Sequence, residues 1–435
     1  MENFGEDKVA LHKWTDYKVE GQLGHGAYST VWEAVHIPTG TRVAIKREKE
    51  LFVDLIDCKR ILREVRLLRQ FNHSSIINLV DVFVNGKKDK FDTLYVVLEL
   101  VDASLKDIIS SPIYLTETQI KKVFYNFMLG LKYLESVGVM HRDIKPANVL
   151  VYENCDVKIC DFGLSRTAPE TSCPLAYHRM KRKQMLEMKQ AQKQAQKGEE
   201  KMEIPIEEEK SPSEAKIGTV RRTLKRSLSN HVVTRWYRAP EVILMQKEYG
   251  YAIDMWSAGC VFAELQGVKK ENVKDYQDRK PVFPGASCYP LSPGRGQNEE
   301  SRDQLNVILD VLGSTTEKDV SFMEEKELIE TMLTMPKKPR TNFAATYPGS
   351  DKNAIDLLEK ILCFNPYNRL SIDACLAHPY FAGVRKAEKE VFPVKPVVME
   401  FDNEDGLKED QLRKLFIEEV EFFEKRKKEG KLFKK

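Results

Sequence analysis

His141-Arg142-Asp143-Ile144-Lys145-Pro146-Ala147-Asn148 follows an apolar helical run and leads into Val149-Leu150-Val151. Eighteen positions past Asp143 stands a second short element, Asp161-Phe162-Gly163. Two aspartates, an asparagine and a lysine are residue types that phosphoryl transfer uses, since it asks positioning and charge of a protein rather than covalent chemistry. Asp143 is placed to orient a hydroxyl and accept its proton, Asn148 and Asp161 to ligate a metal ion, and Lys145 to hold negative charge. Either tripeptide alone is an ordinary loop; both in this order are hard to obtain by chance.

Composition sets the frame. A chain of 435 residues allows about three average domains or one large bilobal one. Hydrophobic residues at 42% and charged residues at 31% describe a soluble globular chain with some solvated segments. With 69 basic against 66 acidic side chains, no global nucleic-acid-binding surface is implied. No apolar run approaches a membrane span, and Met1 to Glu6 lacks signal-peptide character. The eight cysteines are scattered without a Cys-x-x-Cys pair, so reduced thiols in cytosol or nucleus are expected. Cys160 is read as a small buried apolar residue rather than a reactive thiol.

Ahead of the loop the pattern is strands and turns. Tyr17 to Gly24 leads into Gly24-His25-Gly26-Ala27-Tyr28-Ser29-Thr30-Val31; Thr30 to His36 and Arg42 to Arg47 should pair around Pro38-Thr39-Gly40. Glycines at 24 and 26 let backbone N–H groups approach a phosphate with no Cβ in the way. Gly-x-Gly is common in ordinary turns, and Ser29 stands where a third glycine would strengthen it. Val43-Ala44-Ile45-Lys46, a strand ending on a lysine, adds the specificity. A helix from about Asp57 to Phe71, with Ile61, Val65 and Leu68 on one face, carries Glu64. Glu64 is the candidate ion-pair partner of Lys46; without that lysine it would read as a solvated carboxylate.

Past a further short strand, Leu94 to Leu98, the pattern turns helical. Thr116-Glu117-Thr118-Gln119 has capping-box spacing, and Ile120, Val123, Phe124, Phe127, Leu131 and Leu134 form a core stripe on the helix delivering the chain to His141. Asp254 to Cys260 opens a mostly apolar helix suited to a central position. Met180 to Glu209 is nearly all Lys, Gln, Glu, Met and Ala, which can form a solvated helix but no core. It reads either as a docking or regulatory insert or as a tolerated surface insertion. Gly267 to Arg302 reads as surface loop. Asp410 to Lys427 is amphipathic, with Leu412, Leu415, Phe416, Val420 and Phe423 on one side, and should pack back on the body. Lys425 to Lys428 reads as a solvated helix end or a nuclear address.

From about Tyr17 to Phe381 the chain resembles the eukaryotic protein kinases, and within them the mitogen-activated protein (MAP) kinases. The MAP kinase resemblance rests on Val233-Thr234-Arg235-Trp236-Tyr237-Arg238-Ala239-Pro240-Glu241, Phe283-Pro284-Gly285, Asp303-Gln304-Leu305-Asn306, Phe364-Asn365-Pro366 and Ala377-His378-Pro379-Tyr380. It implies an α+β bilobal fold over 17–381, with a small β-rich N-lobe (17–101) holding one main helix and a larger, mostly helical C-lobe (102–381). A long activation-segment insert spans about 168–226. Residues 1–16 form an N-terminal extension, and 382–435 a C-terminal one returning to the small lobe. The implied activity is transfer of the ATP γ-phosphate to Ser or Thr with Mg²⁺. Lys46 and Lys145 would steady phosphates beneath residues 24–31. Leu98 would back the nucleotide pocket, backbone groups of Glu99 and Val101 face adenine, and Leu23, Val31, Ala44 and Leu150 sandwich the ring. Glu241 would pair with Arg369, Thr234 contact Asp143 and Lys145, and Arg238 shape a pocket preferring proline just after the target residue. The implied partners are proteins with Ser/Thr-Pro sites and an upstream kinase, or autophosphorylation in its place, with no nucleic acid or membrane, for a cytoplasmic or nuclear monomer. Two rivals are weighed. A cyclin-dependent kinase is disfavoured because Arg60 to Val65 lacks the typical cyclin-binding sequence, and a pseudokinase because every residue the chemistry needs is present.

Three departures from the MAP kinase pattern concern control. Ser229-Asn230-His231 stands where the family has Thr-x-Tyr, so dual Thr/Tyr phosphorylation is impossible; a divergent protozoan branch with Thr-Ser-His is similar. The arginines that hold the family's first phosphate are matched by Arg63, Arg142 and Arg166. Phospho-Ser229 would bring about −1.5 to −2 charges and three acceptor oxygens to them. A one-site switch that aligns Glu64 with Lys46 is therefore expected. The segment from Asp161 to Glu241 spans 81 residues, ending in the basic run Arg221 to Ser229. That run is either read by a basophilic kinase at Ser227 or Ser229 or is a plain solvated strip, and Ser211-Pro212 is an autophosphorylation site or an ordinary linker step. Lastly, Val384 to Glu390 is mixed to basic where the family's docking patch is acidic, so basic docking peptides should bind poorly.

Overall fold

A computed structural model of the chain describes residues 16–25, 29–84, 87–88, 90–167, 235–246, 249–288, 303–392, 397–403 and 406–433. Gly26, Ala27, Tyr28, the insert at 168–226, Ser229 and Thr234 lie outside the described residues.

Five antiparallel strands build the smaller lobe: β1 (Tyr17–His25), β2 (Ser29–His36), β3 (Thr41–Glu48), β4 (Leu79–Val84) and β5 (Leu94–Glu99). They lie in the order β1-β2-β3-β5-β4. The two-residue period of a strand puts Val43 and Ile45 on one face of β3 and Ala44 and Lys46 on the other. The Val43–Ile45 face packs with Tyr17, Ala34, Tyr95 and Val97, and Leu432 near the chain's C-terminal end joins that cluster.

Between β3 and β4 runs α1 (Leu55–Gln70). Its start is fixed by Asp54, whose carboxylate accepts the N–H groups of Ile56 at 2.7 Å and Asp57 at 3.3 Å. The helix therefore begins two residues before the expected Asp57. Cys58, Leu62, Val65 and Leu68 form its buried stripe, and Ile61, expected on that face, is only half-buried. A second stripe, Lys59, Arg63, Arg66 and Gln70, follows the same helical spacing with polar residues.

In the larger lobe, α2 (Leu105–Ile109) precedes α3 (Glu117–Ser136), which starts on the expected Thr116–Gln119 capping box and buries every member of the expected stripe. Across it lies α4 (Ala252–Gly267), buried from Ile253 to Gly267, with Phe124 of α3 stacked on Phe262 at 4.2 Å. A helix buried on all sides must satisfy its polar groups internally. Glu264 does so by accepting from the Tyr237 hydroxyl at 2.7 Å. The stretch expected as surface loop after Gly267 is anchored instead: Phe283 and Cys288 are fully buried, and Phe283 stacks on Trp256 at 5.1 Å. Pro- and Gly-rich composition hid two inward side chains.

The C-terminal extension returns to the smaller lobe through α5 (Glu409–Lys428), which packs against α1 and β4. Leu412, Phe416, Val420 and Phe423 are buried as expected, and Leu415 is half-buried. Among them sits fully buried Glu419, which accepts from Arg66 at 2.5 Å and lies 3.3 Å from Arg69.

Glu241 and Arg369 meet in a two-pronged ion pair at 2.6 and 2.7 Å, both buried, and Arg369 also donates to the carbonyls of Cys363, Ala252 and Phe364. Removing one member of such a pair strands a buried charge. Arg369→Leu should cost about 3–5 kcal/mol in urea unfolding, and a loss under about 1 kcal/mol would contradict this account.

Candidate active site

Lys46 projects from β3 into the cleft. Its Nζ lies 3.0 Å from Glu64 on α1 and 2.9 Å from Glu48. Burial alone would lower its pKa, but the carboxylates of Glu64, Glu48 and Asp161 outweigh that and hold the ammonium well above its ordinary range. A fixed cation thus faces the site from the small lobe.

The loop His141–Asn148 supplies the opposite wall. Lys145 donates to Asp143 Oδ2 at 2.6 Å, and the Asn148 amide donates to the Asp143 carbonyl at 2.8 Å and to Oδ2 at 3.1 Å. Burial raises the pKa of Asp143; Lys145 pulls it back and the Asp161 charge adds to the rise. The Asn148 Nδ2 is committed to Asp143, which turns its amide oxygen to the other side. An amide oxygen and a carboxylate, Asn148 and Asp161 here, are the kind of hard oxygen donors that suit a small cation completing its shell with water and phosphate oxygens. Among the described residues no cluster of three or more His, Cys, Asp or Glu could hold a metal by itself.

Arg142 and Asp161 both adopt left-handed backbone, at φ 70° and 64°. Such a conformation costs roughly 1–3 kcal/mol in a residue other than glycine, so something must hold it. Asp254 of α4 does so for the loop: its carboxylate accepts the N–H of His141 at 2.7 Å and of Arg142 at 2.8 Å. His141 in turn accepts from the Asp143 N–H at 3.2 Å and its Nε2 meets the Cys160 carbonyl at 3.0 Å. Phe162 is fully buried against Phe71 and His141, with ring centroids 5.0 and 4.9 Å away, which seats the residue after Asp161 beneath α1. Cys160, expected to be buried, is half-buried, though burial of its thiol pushes the pKa up.

The remaining positions expected to face a nucleotide lie on neighbouring strands of the small-lobe sheet, just past β5, and on one short strand of the larger lobe. Ala44 pairs with Leu98 across β3 and β5, and Val31 with Lys46 across β2 and β3. Leu23 and Gly24 end β1, where Gly24 pairs with Val31 and His25 with Thr30, and Ser29 opens β2. Leu150 lies on a short strand, Val149–Val151, and Val101 just past β5 is half-buried. The Glu99 carboxylate is taken by the Asn78 N–H and Lys158, each at 2.7 Å, so its side chain braces the strand. Arg238 sits beside buried Cys288 and opposes the rise that burial imposes on that thiol.

The three arginines expected around a phosphate are gathered. Arg166 is held below its ordinary pKa, at about 10, first by burial and then by the charges of Arg63 and Arg142. Arg63, however, is already engaged by Asp402 of the C-terminal extension at 2.6 Å. Neither Asp254 nor Asp402 announced a role in the sequence. Asp254 showed only as the start of a helix, and Asp402 as one acid in a tail expected to fold back.

This geometry defines a protein kinase, and the protein kinase domain family matches residues 17–185 and 215–381. The chain is 32% identical to mitogen-activated protein kinase 7 of Arabidopsis thaliana, covering 94% of this chain and 90% of that one. It is 32% identical to mitogen-activated protein kinase mpkB of Aspergillus fumigatus over 96% and 97% of the two chains. Extracellular signal-regulated kinase 1 of Dictyostelium discoideum is 33% identical over 93% of this chain and 62% of its own length. The chain belongs to the MAP kinase family of serine/threonine protein kinases, and the cyclin-dependent alternative gives way.

Asp254→Asn keeps the shape but loses two charge-assisted hydrogen bonds to strained backbone. A loss of roughly 2–4 kcal/mol in chemical unfolding is expected, together with lower turnover in the fraction that stays folded; an unchanged midpoint would contradict the role.

Proposed function

We propose that this MAP kinase uses Mg²⁺ and ATP to phosphorylate proteins at Ser or Thr followed by Pro, and that phosphorylation of Ser229 raises its activity. The Lys46–Glu64 contact at 3.0 Å carries this reading, because a lysine so braced can hold the α- and β-phosphates. Asp143 accepts the proton of the substrate hydroxyl as its oxygen bonds to the γ-phosphorus and ADP leaves. Lys145, alongside Asp143, steadies the transferred group. Asn148 and Asp161 would hold the magnesium ion, which neutralises charge on the phosphates when bound. Gly24 to Val31 cover the phosphates; Leu23, Val31, Ala44 and Leu150 enclose the adenine, with Leu98 behind it and backbone groups of Glu99 and Val101 facing it. By the family resemblance Thr234, outside the described residues, would contact Asp143 and Lys145, and Arg238 would shape the proline-preferring pocket. Protein substrates and an upstream kinase are the family's kind of partner. Among the described residues no helix is long and apolar enough to cross a membrane; we place the enzyme, as a monomer, in cytoplasm or nucleus. The exposed Lys386 and Lys389 favour docking partners other than basic peptides.

A pseudokinase scaffold is the rival, and turnover separates the two. Lys46→Met and Asp161→Asn should each abolish ATP turnover on a Ser/Thr-Pro peptide while leaving the circular dichroism spectrum intact; a wild-type enzyme with no turnover would favour the scaffold. In the active enzyme the sign of the Asp143 shift matters. Its pKa is raised above the ordinary 3.8, so acidification protonates it earlier and the acid limb of kcat/KM falls at higher pH than a free aspartate would give. Lys145→Met, which removes the opposing charge, should move that limb higher still; a shift downward would contradict the assignment. Ser229→Ala enzyme treated with an activating kinase should stay at its basal rate, and full activation of that variant would rule out the one-site switch.

A further inference from the structure

Along α1 the polar stripe Lys59, Arg63, Arg66 and Gln70 faces the C-terminal extension residue by residue. Lys59 Nζ donates to the Asp402 carbonyl at 3.1 Å, and Gln70 Nε2 donates to the Val398 carbonyl at 3.1 Å while its Oε1 accepts the Val398 N–H at 3.1 Å. Arg66 reaches Glu419 and Glu418 on α5 at 2.5 and 2.6 Å. The strongest link is Arg63. Its Nε and Nη2 grip the Asp402 carboxylate at 3.0, 3.2 and 2.6 Å, and its Nη1 donates to the Gly163 carbonyl at 2.6 Å. The two side chains are 3% and 5% exposed, so the pair is sealed from water and its charges are weakly screened.

The same carboxylate extends to the second arginine. Arg166 Nη1 lies 3.9 Å from Asp402 Oδ2, whereas Arg142 lies over the Tyr249 ring at 5.6 Å. Three guanidinium groups from both lobes repel unless an anion sits between them, and a carboxylate from the chain's own tail already supplies one charge. We propose that Asp402 is a positioning residue that does for α1 what a bound phosphate would do. By bridging Arg63 to Arg166, it keeps Glu64, the next residue of α1, against Lys46 in the unphosphorylated chain. This builds on the kinase reading of the site, but not on Ser229 being the switch.

The test is steady-state kinetics of the full chain after phosphatase treatment, on a Ser/Thr-Pro peptide, with melting temperatures measured alongside. Asp402→Asn should lower kcat by about tenfold or more with the peptide KM unchanged, the population shift expected when a buried ion pair is broken. Asp402→Glu, which restores the charge, should recover most of the loss. Asp402→Ser carries the same expectation as Asp402→Asn and serves if the asparagine variant melts below the assay temperature. A kcat within about twofold of wild type in the uncharged variant, or a glutamate variant as impaired as the asparagine one, would overturn the proposal. Because no phosphate is present, the outcome reads Asp402 alone. Full activation of Ser229→Ala would remove the switch and leave this inference standing.

Discussion

The cleft works only while one helix stays where it is. Glu64 meets Lys46 because α1 lies against the sheet, and α1 is held from two sides by different physics. Its apolar stripe, Cys58, Leu62, Val65 and Leu68, is buried in the core and resists sliding through packing. Its polar stripe is gripped by the C-terminal extension through Arg63–Asp402 and Arg66–Glu419, pairs whose burial makes them costly to leave half-made. A helix with an unpartnered polar face would be free to rotate about its axis, and the 3.0 Å contact between Lys46 and Glu64 would be the first to open.

The catalytic loop depends on the large lobe in a comparable way. Left-handed backbone at Arg142 is held because Asp254, rooted in a helix buried from Ile253 to Gly267, accepts two successive N–H groups. That link makes the loop's geometry a property of α4 and its surroundings rather than of the loop's own sequence. Phe162, sealed between His141 and Phe71, ties the Asp161 segment to both lobes at once. Asp143, Lys145, Asn148 and Asp161 therefore share one frame with Lys46.

What could be read without coordinates was what local chemistry repeats. His141 to Asn148, Asp161, the β3 lysine and Glu64 stand at fixed spacings, and the capping box of α3 and the stripe of α5 follow helical period. Where such patterns were silent, long-range pairing decided. Asp254 and His141 are 113 positions apart, and Asp402 and Arg63 are 339 apart. A single aspartate carries no mark of its partner at such separations. Phe283 and Cys288 were missed for a related reason, since two inward side chains within a Pro- and Gly-rich stretch give no period to detect. The three arginines were legible through resemblance, but the carboxylate already among them was not.

The central claim is that Lys46 and Glu64 act as a unit set by α1. A double-mutant cycle on ATP affinity, measured by calorimetry for wild type, Lys46→Met, Glu64→Gln and the double variant, tests it most directly. Glu64→Gln should weaken ATP binding in the wild-type background and add nothing once Lys46→Met is present. Losses that simply add would mean the two residues act independently, and would contradict this account of the site.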